Sequence, residues 1–432
     1  MTTLLAAAAV SGLALAPVGA SASPAKPSAA AAYRVTEAPL PAGEHRVCSL
    51  PSRPGEMQCQ AIYVGGGIAA PAATTRPGVA VSPPYTPNDL RSAYDIARAS
   101  STKGRGVTVA IVDAFSDPRA ASDLATYRQH FGLPACTRKN GCLHILNQNG
   151  RASHLPRANA SWAGEESLDL DMISAICPHC RIDLVEANNS MTRAMGTAER
   201  TAARRARFVS NSWSGGNFNG ESRFNGDFNH RGHVIDFAAG DFGFGSSDHH
   251  FPFGVAYPTG LPFVTAVGGT TLVNSASRGR NWTETVWGTS NEAGDQGTNS
   301  GCTRFARPSW QKAVTRKLRH CRNRVENDVS ANANPATGVA VYDSYQQPEG
   351  PWLQFGGTSE ATPIITAMWA LAGRPGAHAY PVSYLYKHVR DFYDVRIGSN
   401  GKCSVRWLCH AERGFDGPTG LGTPHGIGGL RK

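Results

Sequence analysis

Phe355-Gly356-Gly357-Thr358-Ser359-Glu360-Ala361-Thr362-Pro363 is the stretch on which the reading of this chain turns. Two glycines permit a tight backbone approach, a serine follows at the turn, and the apolar run to Ala372 reads as a long helix fed by a loop. Pro363 is expected in the first turn of that helix, where a missing N–H costs nothing. The Ser359 hydroxyl and the neighbouring N–H groups then sit at a helix N-terminus, which favours developing negative charge. Thr358 or Ser359 serving only as an N-cap is an equally ordinary use of these residues.

Upstream, the texture is one of strands alternating with helices. Gly106 to Val112, Arg181 to Val185, Phe208 to Ser210, His233 to Phe237 and Pro262 to Val267 are apolar, strand-like runs. Ala120 to Phe131 and Met191 to Ala206 have helical spacing. The alternation predicts an α/β fold with a mostly parallel sheet and helices on both faces. No internal repeat is present.

A third helix is expected over Trp162 to Ile176, with Leu168, Met172, Ile173 and Ile176 at helical spacing and Pro178 ending the run. Glu165 and Asp169 are four residues apart and share one face. Two ionised carboxylates there repel, so sharing one proton is cheaper, and a partly ionised pair can accept a hydroxyl proton. The alternative is an acidic, solvated first turn favoured by the helix dipole, which is the expectation for Glu166 and Asp171. A further acid, Asp241, lies in Gly240-Asp241-Phe242-Gly243 just after the His233 to Phe237 run. A carboxyl on a glycine-flanked loop at a strand's carboxyl end suits an active site, although most such aspartates only satisfy their own turn.

Gly357-Thr358-Ser359-x-x-x-Pro363 resembles the nucleophile motif shared by subtilisins and sedolisins. A subtilisin needs a histidine in a His-Gly-Thr context, and none of the fourteen histidines has one. Glu165-Glu166-Ser167-Leu168-Asp169 resembles instead the sedolisin Glu-x-Ser-Leu-Asp helix, and Gly240-Asp241-Phe242-Gly243 the sedolisin Gly-Asp-x-Gly loop. The resemblance, closest to the exported bacterial branch, runs from about Pro83 to the C-terminus. It implies a subtilisin-like fold and a serine-type endopeptidase that cleaves proteins through an acyl-enzyme at acidic pH. In that picture Ser359 is the nucleophile, Glu165 the base, Asp169 its orienting partner, and protonated Asp241 the oxyanion donor. Ser210-Asn211-Ser212-Trp213 resembles the family's substrate-cleft strand. The C-terminal loop resembles the family's calcium loop, implying one Ca²⁺ held by Asp394 and Asp416 with the carbonyls of Val395, Glu412 and Gly414. Glycine usually stands in the family where this chain has Glu412. Two rivals are a subtilisin using Asp113, which follows the Val107 to Val112 run, and an exported scaffold without activity.

The remaining expectations come from composition. A net charge of +10 spread without an aromatic-lined basic stripe argues against nucleic acid as a partner. Met1 to Ala22 is apolar and ends in small residues, which reads as a signal peptide despite the lack of a preceding Lys or Arg. No later run is long enough to span a bilayer, so release from the cell as a monomer without a membrane anchor is expected. Residues 23–87 read as an Ala/Pro/Gly-rich leader with one small disulfide loop, and residues 88–432 as the peptidase domain. The ten cysteines fall into the near-neighbour couples Cys48/Cys59, Cys136/Cys142, Cys177/Cys180, Cys302/Cys321 and Cys403/Cys409, which behind a signal peptide read as disulfides. For Cys177-Pro178-His179-Cys180 a zinc half-site or a redox pair is the competing reading.

Overall fold

The computed structural model describes residues 1–2, 40–72, 81–244, 255–275, 280–288, 296–315 and 320–432. Nearly all of the stretch read as a signal peptide lies outside the described residues.

The centre is an eight-stranded sheet in the spatial order Trp282–Val286, Thr265–Asn274, Val234–Ala238, Phe208–Asn211, Thr108–Ala114, Arg181–Ala187, Leu143–Asn147, with Val329–Asn332 also paired to Thr265–Asn274. Every pairing is parallel except that of Trp282–Val286. Strand alternation sorts the two faces. Val109 and Ile111 join a core with Leu168, Met172, Ile173, Ile364 and Met368. Ala110 and Val112 join a second core with Met195, Ala198 and Ala202. The first core covers helices Ala160–Ile176 and Thr358–Ala372, which pack on each other, and the second covers helix Thr192–Arg205. The expected parallel sheet with helices on both faces is therefore present.

Thr108–Ala114 is the first strand of this sheet in the chain but lies in its middle. The chain moves first to one side of it (Arg181–Ala187) and later to the other (Phe208–Asn211). That reversal opens a crevice at the strands' carboxyl ends, where Asp113, Ser212 and Asp241 lie.

Two local expectations are corrected. Pro363 is the sixth residue of its helix, not in the first turn, so it removes a hydrogen bond to the carbonyl of Ser359. Ser212 Oγ lies 3.3 Å from that carbonyl and supplies a substitute donor. Glu166 and Asp171 are 0% and 1% exposed rather than solvated, because helix Ala160–Ile176 is enclosed on every side. Their carboxylates accept from the backbone N–H of Asp117 (3.2 Å) and Tyr342 (3.0 Å).

All five near-neighbour cysteine couples are disulfides, Cys177–Cys180 included, which removes the metal and free-dithiol readings of that motif. Part of the stretch expected to be a leader is built into the fold. Glu44–Arg46 and Ile62–Val64 form an antiparallel sheet with Trp352–Gly356 and Val339–Tyr342, in the order Glu44–Arg46, Ile62–Val64, Trp352–Gly356, Val339–Tyr342. Among the described residues no helix is long and apolar enough to cross a membrane.

Candidate active site

Strand Trp352–Gly356 delivers the chain to Gly357, whose φ of +99° lies where only glycine is at ease. A Cβ there would stand 2.6 Å from Asp241 Oδ2 and 2.3 Å from the carbonyl oxygen of Gln60. Ser359 then falls in the first turn of its helix, fully buried. Its hydroxyl donates to Ser212 O (2.9 Å) and accepts from Gln60 N (3.0 Å). Its backbone N–H donates to Gln60 O (2.8 Å). Among the described residues none of these partners is a histidine.

The carboxylate helix packs directly on the serine's helix, which brings Glu165 and Asp169 to the same place. Neither Glu165 oxygen has a well-formed hydrogen bond, although the Ser359 hydroxyl is close enough to ease its charge. Burial first, then the charges of Asp169 and Asp113, raise Glu165 well above the ordinary range. Asp169 is raised by burial and by Asp113, against the pull of the Ser212 hydroxyl 2.6 Å from its Oδ1. A proton on Asp169 fits that short contact and leaves the Ser212 hydroxyl free to serve Ser359 O.

Asp241 is held by Thr358, the residue before the serine. Thr358 donates to its Oδ1 through both N–H (2.8 Å) and Oγ1 (2.9 Å), while Oδ2 has no partner. Burial pushes the carboxyl up to about 7 against those two donors and Arg46. It therefore carries a proton through the acid range, and Oδ2 is the free position for it. Gly240 is also required: its φ is +122°, and a Cβ would meet the Asn299 amide, which holds Phe242 N at 2.8 Å.

Asp113, which the sequence offers only to the rival subtilisin reading, belongs to the same cluster. It is fully buried, has no hydrogen-bond partner for either oxygen, and is pushed by burial to about 8, with its charge felt by both Glu165 and Asp169. Gln60, which contacts the serine through its backbone, carries no sequence signal at all.

This concentration of buried acids fixes how stability depends on pH. Asp241 titrates at about 7, and Asp113, Glu199 and Glu326 at about 8, each raised by burial. In the unfolded chain the same groups lose their protons near ~4. The folded chain thus binds more protons in between, and stability falls as pH rises through 7 to 8. The thermal midpoint should be at least roughly 5 °C higher at pH 5 than at pH 8, a few kcal/mol for a chain this size. A midpoint that climbs with pH over this range, read by calorimetry, would contradict the burial of these acids.

Of the residues expected to hold calcium, Asp394, Glu412, Gly414 and Asp416 come together. Gly414 N donates to Asp394 Oδ1 (2.9 Å) and Glu412 N to Asp416 Oδ2 (3.0 Å), so both loops converge on the two aspartates. Glu412 is not among the residues with positive φ, so replacing the family's glycine does not strain the backbone. Burial and the charge of Asp394 help raise Asp416 to about 7, eased by the Glu412 and Thr419 donors. Two carboxylates with loop carbonyls are the hard oxygen donors calcium takes. Arg396, 2.6 Å from Asp394 Oδ2, must give way to a cation there. Among the described residues no group of three or more His, Cys, Asp or Glu could hold a metal, so the carbonyls are essential to such a site.

The sequence profile of the subtilase family matches residues 160–388, more than half of the chain. Kumamolisin of Bacillus sp. (strain MN-32) is 30% identical over 79% of this chain and 62% of its own length. Sedolisin of Pseudomonas sp. (strain 101) is 25% identical over 78% of this chain and 59% of its own length. The chain thus spans about three-fifths of the length of these curated relatives. The solved structure of Pseudomonas sedolisin, a serine-carboxyl proteinase complexed with two molecules of pseudo-iodotyrostatin, superposes with a TM-score of 0.64, covering 81% of this chain and 96% of that one at 23% identity. The chain belongs to the subtilase family, among its sedolisin-like members.

Proposed function

We propose that this chain is an exported serine-carboxyl endopeptidase that cleaves protein substrates on the acid side of neutrality. One observation carries the reading: among the described residues the Ser359 hydroxyl has no histidine partner, buried Glu165 is close enough to interact with it, and Thr358 next to it binds buried Asp241. Ser359 attacks the peptide carbonyl, and Glu165 takes its proton while Asp169, tied to Ser212, holds the pair in place. The Ser359 N–H and protonated Asp241 Oδ2 face the oxygen that becomes negative in the tetrahedral intermediate. Glu165 then protonates the leaving amine, and water resolves the acyl-enzyme. Hydrolysis of a denatured protein followed across pH, with Ser359→Ala beside the parent, tests this reading. Five disulfides and the apolar N-terminus support export.

Calcium belongs to the same proposal. Asp394, Asp416 and the carbonyls of Val395, Glu412 and Gly414 would hold one ion, which neutralises two clustered carboxylates and pins the C-terminal loops. A ligand bound only by the folded state stabilises it, by about 2.7 kcal/mol at a hundredfold excess over Kd. Excess chelator should lower the thermal midpoint and added Ca²⁺ restore it, whereas Asp416→Ala should not respond. An unchanged midpoint in chelator would remove the ion from the account.

A further inference from the structure

The amino ends of the sheet strands, opposite the candidate active site, border a second cleft. It holds about 620 Å³ and is lined by Arg204, Arg205, Arg207, His233 and Arg374, with small residues such as Gly106 and Ala206 between them. No carboxylate is among its described lining residues. The same elements reach both ends of the molecule. Phe208–Asn211 leads from Arg207 to Ser212, Val234–Ala238 from His233 towards Asp241, and helix Thr358–Ala372 from Ser359 to Arg374. That helix has 15 residues and is about 22 Å long, so the cleft and the nucleophile lie at opposite ends of it.

Four guanidiniums around one cleft repel one another, and local structure accounts for only two of them. Arg204 and Arg205 end helix Thr192–Arg205, where cations complement the helix dipole. Arg207 and Arg374 sit on other segments. The nearby Asp183 is fully used: its Oδ2 accepts from Arg205 Nε (2.6 Å) and its Oδ1 pairs with His144 Nδ1 (2.8 Å). Arg204 is held by the Thr201 hydroxyl (2.8 Å), and Arg207 Nη1 turns to His233 Nε2 (3.3 Å). Among the described residues Arg204, Arg207 and Arg374 have no acidic partner.

We propose that this cleft binds a ligand carrying several clustered sulfate or phosphate ester groups, apart from the peptide cleft. Arginine forks take such oxyanions bidentately, and here they are already gathered. The lining offers no exposed aromatic face, Phe208 being 3% exposed, so nucleic-acid bases have nothing to stack on. His233 adds a dependence on pH. Burial holds it below the ordinary histidine range, with Arg207 reinforcing and the carbonyls of Arg231 and Ala203 opposing; His230, 5.8 Å away ring to ring, is its other titratable neighbour. An oxyanion beside His233 favours its charged form, so binding takes up a proton and tightens as pH falls. Sulfate and phosphate esters stay negative on acidification, whereas carboxylate ligands lose their charge near ~4.

Binding is read by calorimetry at low salt on the full chain. Sucrose octasulfate is the probe, because its charge does not change between pH 5 and pH 8. The proposal does not depend on the peptidase reading, and no turnover is needed to test it. The parent should bind about tenfold tighter at pH 5 than at pH 8, the effect of raising one pKa by one unit, and His233→Gln should flatten that difference. Arg204→Gln, Arg207→Gln and Arg374→Gln combined should weaken binding at least ~30-fold with the thermal midpoint unchanged. Arg98→Gln, Arg151→Gln and Arg322→Gln combined remove the same charge from exposed sites elsewhere and should bind as the parent does. Inositol hexakisphosphate binding more tightly than dextran sulfate points to a free ester, and the reverse to a polymer bearing such groups; loss of either with the three cleft arginines supports the site. Equal losses in the two triple variants, or duplex DNA bound as tightly as the probe, would reduce the cleft to part of a diffuse basic surface and overturn the inference. So would a parent that binds no probe at either pH.

Discussion

Ser359→Ala should lose on the order of 10⁴- to 10⁶-fold in kcat, the scale on which removing an activated serine acts. In the proposed mechanism the cost is large because the rest of the apparatus has nothing to work on: Glu165 has no proton to accept, and Asp241 has no oxyanion to serve. The fold should be untouched. Removing one hydroxyl from Ser359 frees Gln60 N and Ser212 O, and those two already face each other at 3.0 Å. Equal thermal midpoints with turnover reduced to background is the expected pair of results. Substantial peptidase activity in the folded variant would move the chemistry to another residue.

The second large effect concerns Asp241 and pH. A carboxyl raised to about 7 keeps its proton below that value and loses it above. As an oxyanion donor it must be protonated, so its ionisation sets a falling limb of kcat/KM as pH rises toward neutrality. The acid limb comes from the Glu165/Asp169 pair, which accepts a proton only while one member is ionised. Asp241→Ala removes the donor and should cost about 10²- to 10³-fold, as losing an oxyanion-hole donor does. Asp241→Asn retains an N–H donor that does not titrate. It should keep more activity than Asp241→Ala and hold it further toward neutral pH. Profiles for parent and both variants from strongly acidic to mildly alkaline pH provide the check. A parent maximum at alkaline pH with both variants fully active would mean that Asp241 serves only the Thr358 turn.

The parts of this architecture legible in the sequence are those in which one segment carries its own signal. The Ala160–Ile176 helix shows apolar residues at helical spacing and a proline stop, and Asp241 stands out by its flanking glycines. The sheet strands read as short β-branched runs because both of their faces are buried. What sequence could not supply depends on partners far along the chain. Glu166 and Asp171 look like solvated acids until the sheet and the Val339–Tyr342 strand close over them. Pro363 looks like a first-turn proline because nothing nearby reveals that Ser212, 147 residues from Ser359, will meet the stranded carbonyl. Met57 to Ala61 shows only a five-residue apolar/polar alternation, too short to name its partners, which are the edges offered by Trp213–Ser214 and Trp352–Gly356.

The five disulfides bear on how the chain acquires its shape. Their partners are 11, 6, 3, 19 and 6 residues apart, and no ring encloses or crosses another. Loops this short lose little chain entropy on closing, so each couple meets its own partner long before a distant thiol. For the same reason each ring removes little freedom from the unfolded chain, about 3 kcal/mol for fifteen residues and less for the smallest. The cross-links therefore rivet individual loops and stitch no two distant parts together. Correct oxidation requires no prior native sheet, and a reduced chain still has every long-range contact from which to rebuild its core.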